Sequence, residues 1–355
     1  MAIINPIYFL ALTISLLMSL ALAPLMIKIS FHFRILDQPA SADRKIHKKD
    51  VALLGGWAVF LSVFVPLIIF RWYNLADFSK ISDQFIAVVF LAGLLIMIGG
   101  TLDDKYRLLP WQQIIWPLLA SGLTVLAGIR ISYITNPLGT SENAIIYLAP
   151  VLGGALSFIW LMAIIYTTKL LDGLDGLVAG ITAIAAIMIF ALSLDWDLYL
   201  SATGIWALLL LGASSGFLFF NWHPAKIFLG ESGSLFMGFM LGVLSIISGS
   251  KIATTLLVVG IPALDVLLVM ASRIIKRESP FSHADKKHLH FRLLMAGFKH
   301  REAVLFLYLV AIIFGLVAVV SGSLGKLIGL IALIALMSVI ILVVYKKSSQ
   351  DVSKT

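Results

Sequence analysis

The chain of 355 residues is 61% hydrophobic and only 12% charged, with a mean hydropathy of +1.04. No soluble domain of this size needs so much apolar surface, so these values call for an integral membrane protein. Cysteine is absent, which excludes a disulfide framework and any cysteine-based metal centre. The net charge of +8 suits either nucleic acid or loops beside anionic lipid, and its distribution along the chain separates the two.

Apolar stretches long enough to cross a bilayer, about 17–25 residues each, fall near 6–28, 53–71, 84–101, 111–128, 144–165, 177–194, 198–219, 233–249, 253–272, 302–321 and 325–345. They predict an all-α polytopic bundle of about eleven transmembrane helices. Residues 1–345 form one membrane catalytic domain in this reading, and 346–355 a short, loose polar tail. The run 6–27 loosely imitates a cleavable leader at Ala21-Leu-Ala23. No basic residue precedes it, however, and Pro24 would follow the cut, so a retained helix is expected. The least distinct divisions are 177–219, broken at Asp195-Trp-Asp197, and 233–272, broken near Ser250-Lys251.

Loops at 28–52, 102–110, 166–176, 220–232, 273–301 and 346–355 carry 21 of the 26 Lys and Arg residues. Arg71, Lys80, Arg130, Lys251 and Lys326 fall on the opposite side. This bias predicts that the first set faces the cytoplasm, with the N-terminus outside and the C-terminus cytoplasmic. The basic charge is spread over many loops of one face, which argues against a nucleic-acid patch.

The chemistry-bearing segments all fall on that face. Asp103-Asp104 closes the third span, followed by Lys105 and Arg107. Adjacent carboxylates repel, which favours a cation or a proton between them and a phosphate, while two solvated loop aspartates are the plain alternative. Asp172 and Asp175 stand three apart in Asp172-Gly-Leu-Asp175-Gly. On a helix they would share one side, and the glycines admit a close ligand; capping acids at the next span are the other reading. In Asn221-Trp-His-Pro224, Asn and His offer planar hydrogen-bonding edges suited to a base or amide. Gly230-Glu231-Ser-Gly-Ser then opens a span, where free N–H groups and the helix dipole favour an anion, or simply an N-cap.

The loop 273–301 holds Arg273, Arg277, His283, Asp285, His288, His290 and Arg292. Its cation density fits a pyrophosphate or nucleotide better than zinc. A positive-inside loop touching lipid phosphates would explain the Lys and Arg but not the histidines. The first such loop, with Arg44-Lys45-Ile-His47 leading to Gly55-Gly56, adds further phosphate donors.

Taken in order, from Asp37-Gln-Pro39 to His300-Arg-Glu-Ala-Val304, these segments resemble the polyprenyl-phosphate N-acetylhexosamine-1-phosphate transferases. The similarity is strongest to the branch that starts wall teichoic acid, O-antigen and enterobacterial common antigen, with phospho-MurNAc-pentapeptide translocase a more distant relative. The resemblance implies a multi-pass protein of the inner (cytoplasmic) membrane with its site facing the cytoplasm. It implies Mg²⁺, with Mn²⁺ as an alternative ion, and transfer of a HexNAc-1-phosphate from a UDP-HexNAc, typically UDP-GlcNAc, to undecaprenyl phosphate, releasing UMP. Asp103 and Asp104 would lie near the acceptor phosphate, and Glu231 at the magnesium-binding acid, with Asp103 and Asp104 sharing the ion. Asp172 and Asp175 match acids needed for the reaction, and Asn221 a residue near the uracil. Lys45, His47, Arg107, Lys169, His288, His290 and Arg292 would hold phosphates or sugar. A homodimer is carried as an open expectation; nucleic acid is not a partner.

The chain departs from that pattern in four places. Glu231 stands where Asp is usual, and its extra methylene moves the charge outward by about 1.5 Å. Tyr166 and Lys169 replace two asparagines, and an ammonium repels a metal that an amide carbonyl can ligate. Phe291 replaces a further histidine. Asp50-Val-Ala replaces a proline-containing lead into Gly55-Gly56. These changes keep a second reading open: a non-catalytic or altered-specificity member that binds polyprenyl phosphate or scaffolds glycan assembly. A transporter would instead place its charges in broken helices at mid-membrane.

Overall fold

A computed structural model describes residues 5–38, 50–79, 81–139, 144–196, 200–248, 252–275 and 288–352. Its helices are α1 (Pro6–Phe33), α2 (Gly55–Trp72), α3 (Asp83–Tyr106), α4 (Pro110–Leu126), α5 (Pro150–Leu171) and α6 (Leu177–Trp196). There follow α7 (Ala202–Asn221), α8 (Gly230–Ile247), α9 (Ile252–Ile275), α10 (Leu289–Met295), α11 (His300–Val320) and α12 (Ser323–Val352). Ten of them are long and apolar enough to cross a membrane. The eleventh expected span is α4, which has 17 residues and starts on Pro110, where a missing N–H costs a helix nothing. The chain is therefore a polytopic all-α membrane protein. The tail expected to be loose instead continues α12 as far as Val352; lysine is a good helix former, and the preceding span has already nucleated the helix.

The helices differ in how they meet their surroundings. Only 22% of the α12 span is buried, against 89% of α8. The apolar residues left outside, such as Leu17 on α1, Leu309 on α11 and Ile331 on α12, are those a bilayer would cover. α8 is the central post, packed against α2, α3, α5 and α6. Its glycines and serines make that closeness feasible, because in lipid helices associate through backbone approach rather than through expulsion of water. A Cβ on Gly233 would lie 2.7 Å from Gly56 Cα, and one on Gly100 only 2.3 Å from Ser232 Cα. A Cβ on Gly238 would meet Thr168 Oγ1 at 2.1 Å, so α5 is equally tight.

Two small hairpins finish the loops. β1 (Leu36–Asp37) pairs antiparallel with β2 (Val51–Ala52), and β3 (Tyr133–Thr135) with β4 (Ile145–Tyr147). The β2 end of the first loop also joins the segment that leads into α8. The Phe228 N–H donates to Ala52 O at 2.8 Å, and the Gly56 N–H donates to Leu229 O at 2.9 Å. The first loop and the Gly-Glu-Ser-Gly-Ser segment are thereby held at one end of the bundle.

Gly230 starts α8 with φ +71°, and a Cβ there would lie 2.2 Å from Leu53 O. Gly230→Ala should lower stability by about 1–3 kcal/mol, seen as a reduced thermal-unfolding midpoint in detergent. An unchanged midpoint would mean that this turn is not held as described.

Candidate active site

The C-terminal end of α3 and the N-terminal end of α8 meet through one hydrogen bond: the Glu231 N–H donates to Asp104 Oδ1 at 2.8 Å. This satisfies one of the free amides of the first helical turn and sets a carboxylate at the positive end of the helix dipole. The other oxygen, Asp104 Oδ2, is buried without a hydrogen-bond partner. It lies where a Gly230 side chain would have been, 2.5 Å from the position of that absent Cβ. Asp103, one residue earlier, turns to the start of α4. Its Oδ1 accepts the Leu108 N–H at 2.8 Å and Gln113 Nε2 at 3.1 Å.

Lys169, near the end of α5, enters this acidic group. Its ammonium forms an ion pair with Glu231 and donates to Gln113 Oε1 at 3.0 Å. It also stands 5.7 Å from the centre of the Tyr166 ring, within cation–π range. Asp103 is within electrostatic reach of both Lys169 and Glu231. Gln113, which the sequence reading did not single out, thus links Asp103 to Lys169. An uncharged amide on an amphipathic first turn carries no signal by itself.

The Asp172–Asp175 pair does not sit on a helix. Asp172 caps α5, and Gly173 and Gly176, the latter at φ +82°, turn the chain before α6. The shared helical face expected from the spacing is therefore replaced by a glycine turn, since glycine breaks a helix while accepting positive φ. Asp172 retains accessible surface but is ringed by protein, and desolvation raises its carboxyl above the usual range. Repulsion from Glu231 and Asp175 adds to the rise. Water along its open side screens these effects. Asp175 turns away, accepting the Ala225 N–H at 3.1 Å and contacting His223 Nδ1 at 2.6 Å.

Asn221 is buried, with a hydrogen bond at each end of its amide. Oδ1 accepts the Gly176 N–H and Nδ2 donates to Ile227 O, each at 2.9 Å. It braces the glycine turn against the segment entering α8. His288, just before α10, places Nδ1 2.8 Å from Asp265 Oδ2. Asp265 was missed in the sequence reading, although a lone acid inside the apolar run 253–272 is itself a signal of function. His290 is parallel to His288 at 5.8 Å between ring centres, and a Cβ on Gly173 would meet its Nε2 at 2.2 Å. Burial, followed by the neighbouring His288 and His300, holds the His290 pKa at about 3, so its imidazole is neutral. Arg107 is exposed at the end of α3 and Arg292 lies on α10. Lys45 and His47, with Asp285 and His283, lie outside the described residues.

Acids, amides and imidazoles are thus gathered at the helix ends of a polytopic membrane protein. Residues 86–249 match the model of glycosyl transferase family 4. The chain is 32% identical over 321 residues to a probable undecaprenyl-phosphate N-acetylglucosaminyl 1-phosphate transferase of Bacillus subtilis (strain 168), covering 88% of this chain and 84% of that protein. It is 32% identical to decaprenyl-phosphate N-acetylglucosaminephosphotransferase of Mycolicibacterium smegmatis, over 75% of this chain and 71% of the relative. Against the undecaprenyl-phosphate alpha-N-acetylglucosaminyl 1-phosphate transferase of Yersinia pestis it is 25% identical, over 84% and 80%. The chain belongs to glycosyl transferase family 4.

The raised Asp172 carboxyl has a consequence for stability. Between the ordinary carboxylate range and the raised folded value, the unfolded chain ionises first, so stability falls as pH increases through that window. Asp172→Asn should flatten this part of the pH–stability curve of the metal-free protein, measured by thermal unfolding. An unaltered slope would show that Asp172 ionises normally.

Proposed function

We propose that this protein transfers N-acetylglucosamine 1-phosphate to a polyprenyl phosphate, with UDP-GlcNAc as donor and undecaprenyl phosphate as acceptor, releasing UMP. The reading rests on one observation above all. Asp103, Asp104, Glu231 and Lys169, from three separate helices, converge at one end of the bundle in a chain that matches named GlcNAc-phosphate transferases over most of its length. A polyprenyl tail lies in the bilayer and leaves its phosphate at the surface, where such helix ends stand. The basic bias of these loops argues that this surface is cytoplasmic and that the membrane is the inner one.

The difficulty of the reaction is that one anionic phosphate must approach another. Oxygen-only donors suit a hard divalent cation, and the unpartnered Asp104 Oδ2 is an oxygen with capacity to spare. Asp103, Asp104 and Glu231 would hold Mg²⁺, which when bound offsets the charge of the two phosphates. The protein's own groups do the rest. Asp103 and Asp104 receive the acceptor end, one of them accepting its proton or attacking phosphorus. Lys169 supplies a fixed positive charge, held by Glu231 and Gln113. His288, held by Asp265 at Nδ1, presents its other nitrogen to the donor diphosphate. Asn221 keeps the glycine turn and the α8 entrance in register for this arrangement.

Purified protein should form a chloroform-soluble labelled lipid from radiolabelled UDP-GlcNAc and undecaprenyl phosphate with Mg²⁺, and much less without it. Asp104→Asn and Glu231→Gln should each reduce product by at least about 100-fold. The Lys169–Glu231 ion pair favours a second reading, a lipid-binding member without turnover. Folded protein that yields no product from any UDP-HexNAc would establish that alternative. A sharper expectation concerns Lys169. If its ammonium carries part of the cation's task, Lys169→Asn should raise the Mg²⁺ concentration needed for half-maximal rate and lower turnover. Unchanged Mg²⁺ dependence or faster turnover would remove Lys169 from that role.

A further inference from the structure

Beside the acidic group lies a second set of ligating side chains. Asp175, in the glycine turn, His223, before α8, and His300, at the first residue of α11, bring their donor atoms within 4.8 Å of one another. The His223 and His300 rings stack at 4.0 Å with only 14° between their planes. Both ring nitrogens of His300 are buried without a hydrogen-bond partner. Buried polar atoms are normally satisfied, so this imidazole, set beside a carboxylate and a second imidazole, has capacity for a ligand. The segments that carry the set are also anchored. Arg301 donates from Nε to His223 O at 2.9 Å and from Nη2 to the same oxygen at 2.6 Å. The Ala225 N–H holds Asp175 from the same loop.

We propose that Asp175, His223 and His300 form a binding site for a divalent transition metal of the zinc class. Two imidazoles and one carboxylate suit zinc and its neighbours, and they do not suit Mg²⁺, which prefers oxygen ligands and bound waters. A tetrahedral ion with metal–ligand distances of about 2.0–2.2 Å draws its donors to about 3.3–3.5 Å apart. His223 Nδ1 now contacts Asp175 Oδ2 at 2.6 Å, so an entering ion would part that pair and turn one imidazole out of the stack to bring the three donors to this spacing. Three protein ligands leave the fourth position to water or to a ligand oxygen. Such an ion would cross-link the turn between α5 and α6, the segment before α8 and the start of α11. It is separate in ligand chemistry from the Asp103, Asp104 and Glu231 group, and it stands whether or not the chain is a transferase.

The test uses full-length detergent-purified protein, stripped with a chelator and reloaded with Co²⁺ or Zn²⁺. Wild type should retain one equivalent by elemental analysis after desalting and show the visible absorption of cobalt held by nitrogen and oxygen. A large excess of Mg²⁺ should not displace it. His300→Gln and His223→Gln, each verified as folded by gel filtration, should weaken retention by about 100-fold or more and abolish the visible band. Zn²⁺ should raise the thermal midpoint of wild type but not of the His300→Gln variant. Folded wild type that retains no ion, or variants that bind as well as wild type, would overturn the site. Because the readout is bound metal, failure of the transfer assay leaves this result intact.

Discussion

The Glu231 amide rests on the Asp104 carboxylate because α8 can come unusually close to α2 and α3. Glycine at 56, 100, 230 and 233 removes the side chains that would otherwise separate these backbones, so the start of α8 is sunk into the bundle rather than left at its edge. Everything acidic in the site is referred to this contact. It aims one Asp104 oxygen at an amide and leaves the other unpartnered. It also brings Glu231 to Lys169 on α5. In lipid, where helices gain little from hydrophobic association, such contacts rest on shape, and one added methyl displaces a functional group.

Around that contact the protein has balanced charge by assignment rather than by neutralisation. Lys169 is committed to Glu231 and Gln113 on one side of the acids. Asp175 is drawn to His223 and the Ala225 amide, away from Asp103 and Asp104. Asp172, between the two sets, keeps no such assigned partner, and its carboxyl responds by holding its proton more firmly. The His288–Asp265 pair shows the same logic inside α9, where a lone acid would be costly without a partner. His290, packed over Gly173, is kept neutral by burial and cannot add to the cation count.

The departures from the family pattern acquire a physical meaning in this setting. Of the expected departures, Glu231 and Lys169 meet in one ion pair. Tyr166, the other replacement, lies under the same ammonium. Phe291 packs its ring against His290, 4.4 Å between centres, in place of another imidazole.

Composition alone determined that the chain lives in a membrane, because no soluble fold can hide so much apolar surface, and the lengths of the apolar runs located its helices closely. The polar interruptions announced the acids and histidines because these residues are costly at a bilayer and persist there only for a purpose. Partnership was beyond the reach of spacing. Asp172 and Asp175 read as a helical pair, yet glycine turns them toward different neighbours. Asn221 read as a residue near the base, and spacing gave no hint that its amide also braces two backbone segments. Gln113 gave little warning because it is uncharged, whereas Asp265, a lone acid in an apolar run, marked itself as costly but not which partner it serves. Ion pairs and hydrogen bonds between residues as many as 127 positions apart depend on which helices touch and how closely. That is settled by the small residues of α8 packing against their neighbours, a property of the folded bundle and not of any local stretch of chain.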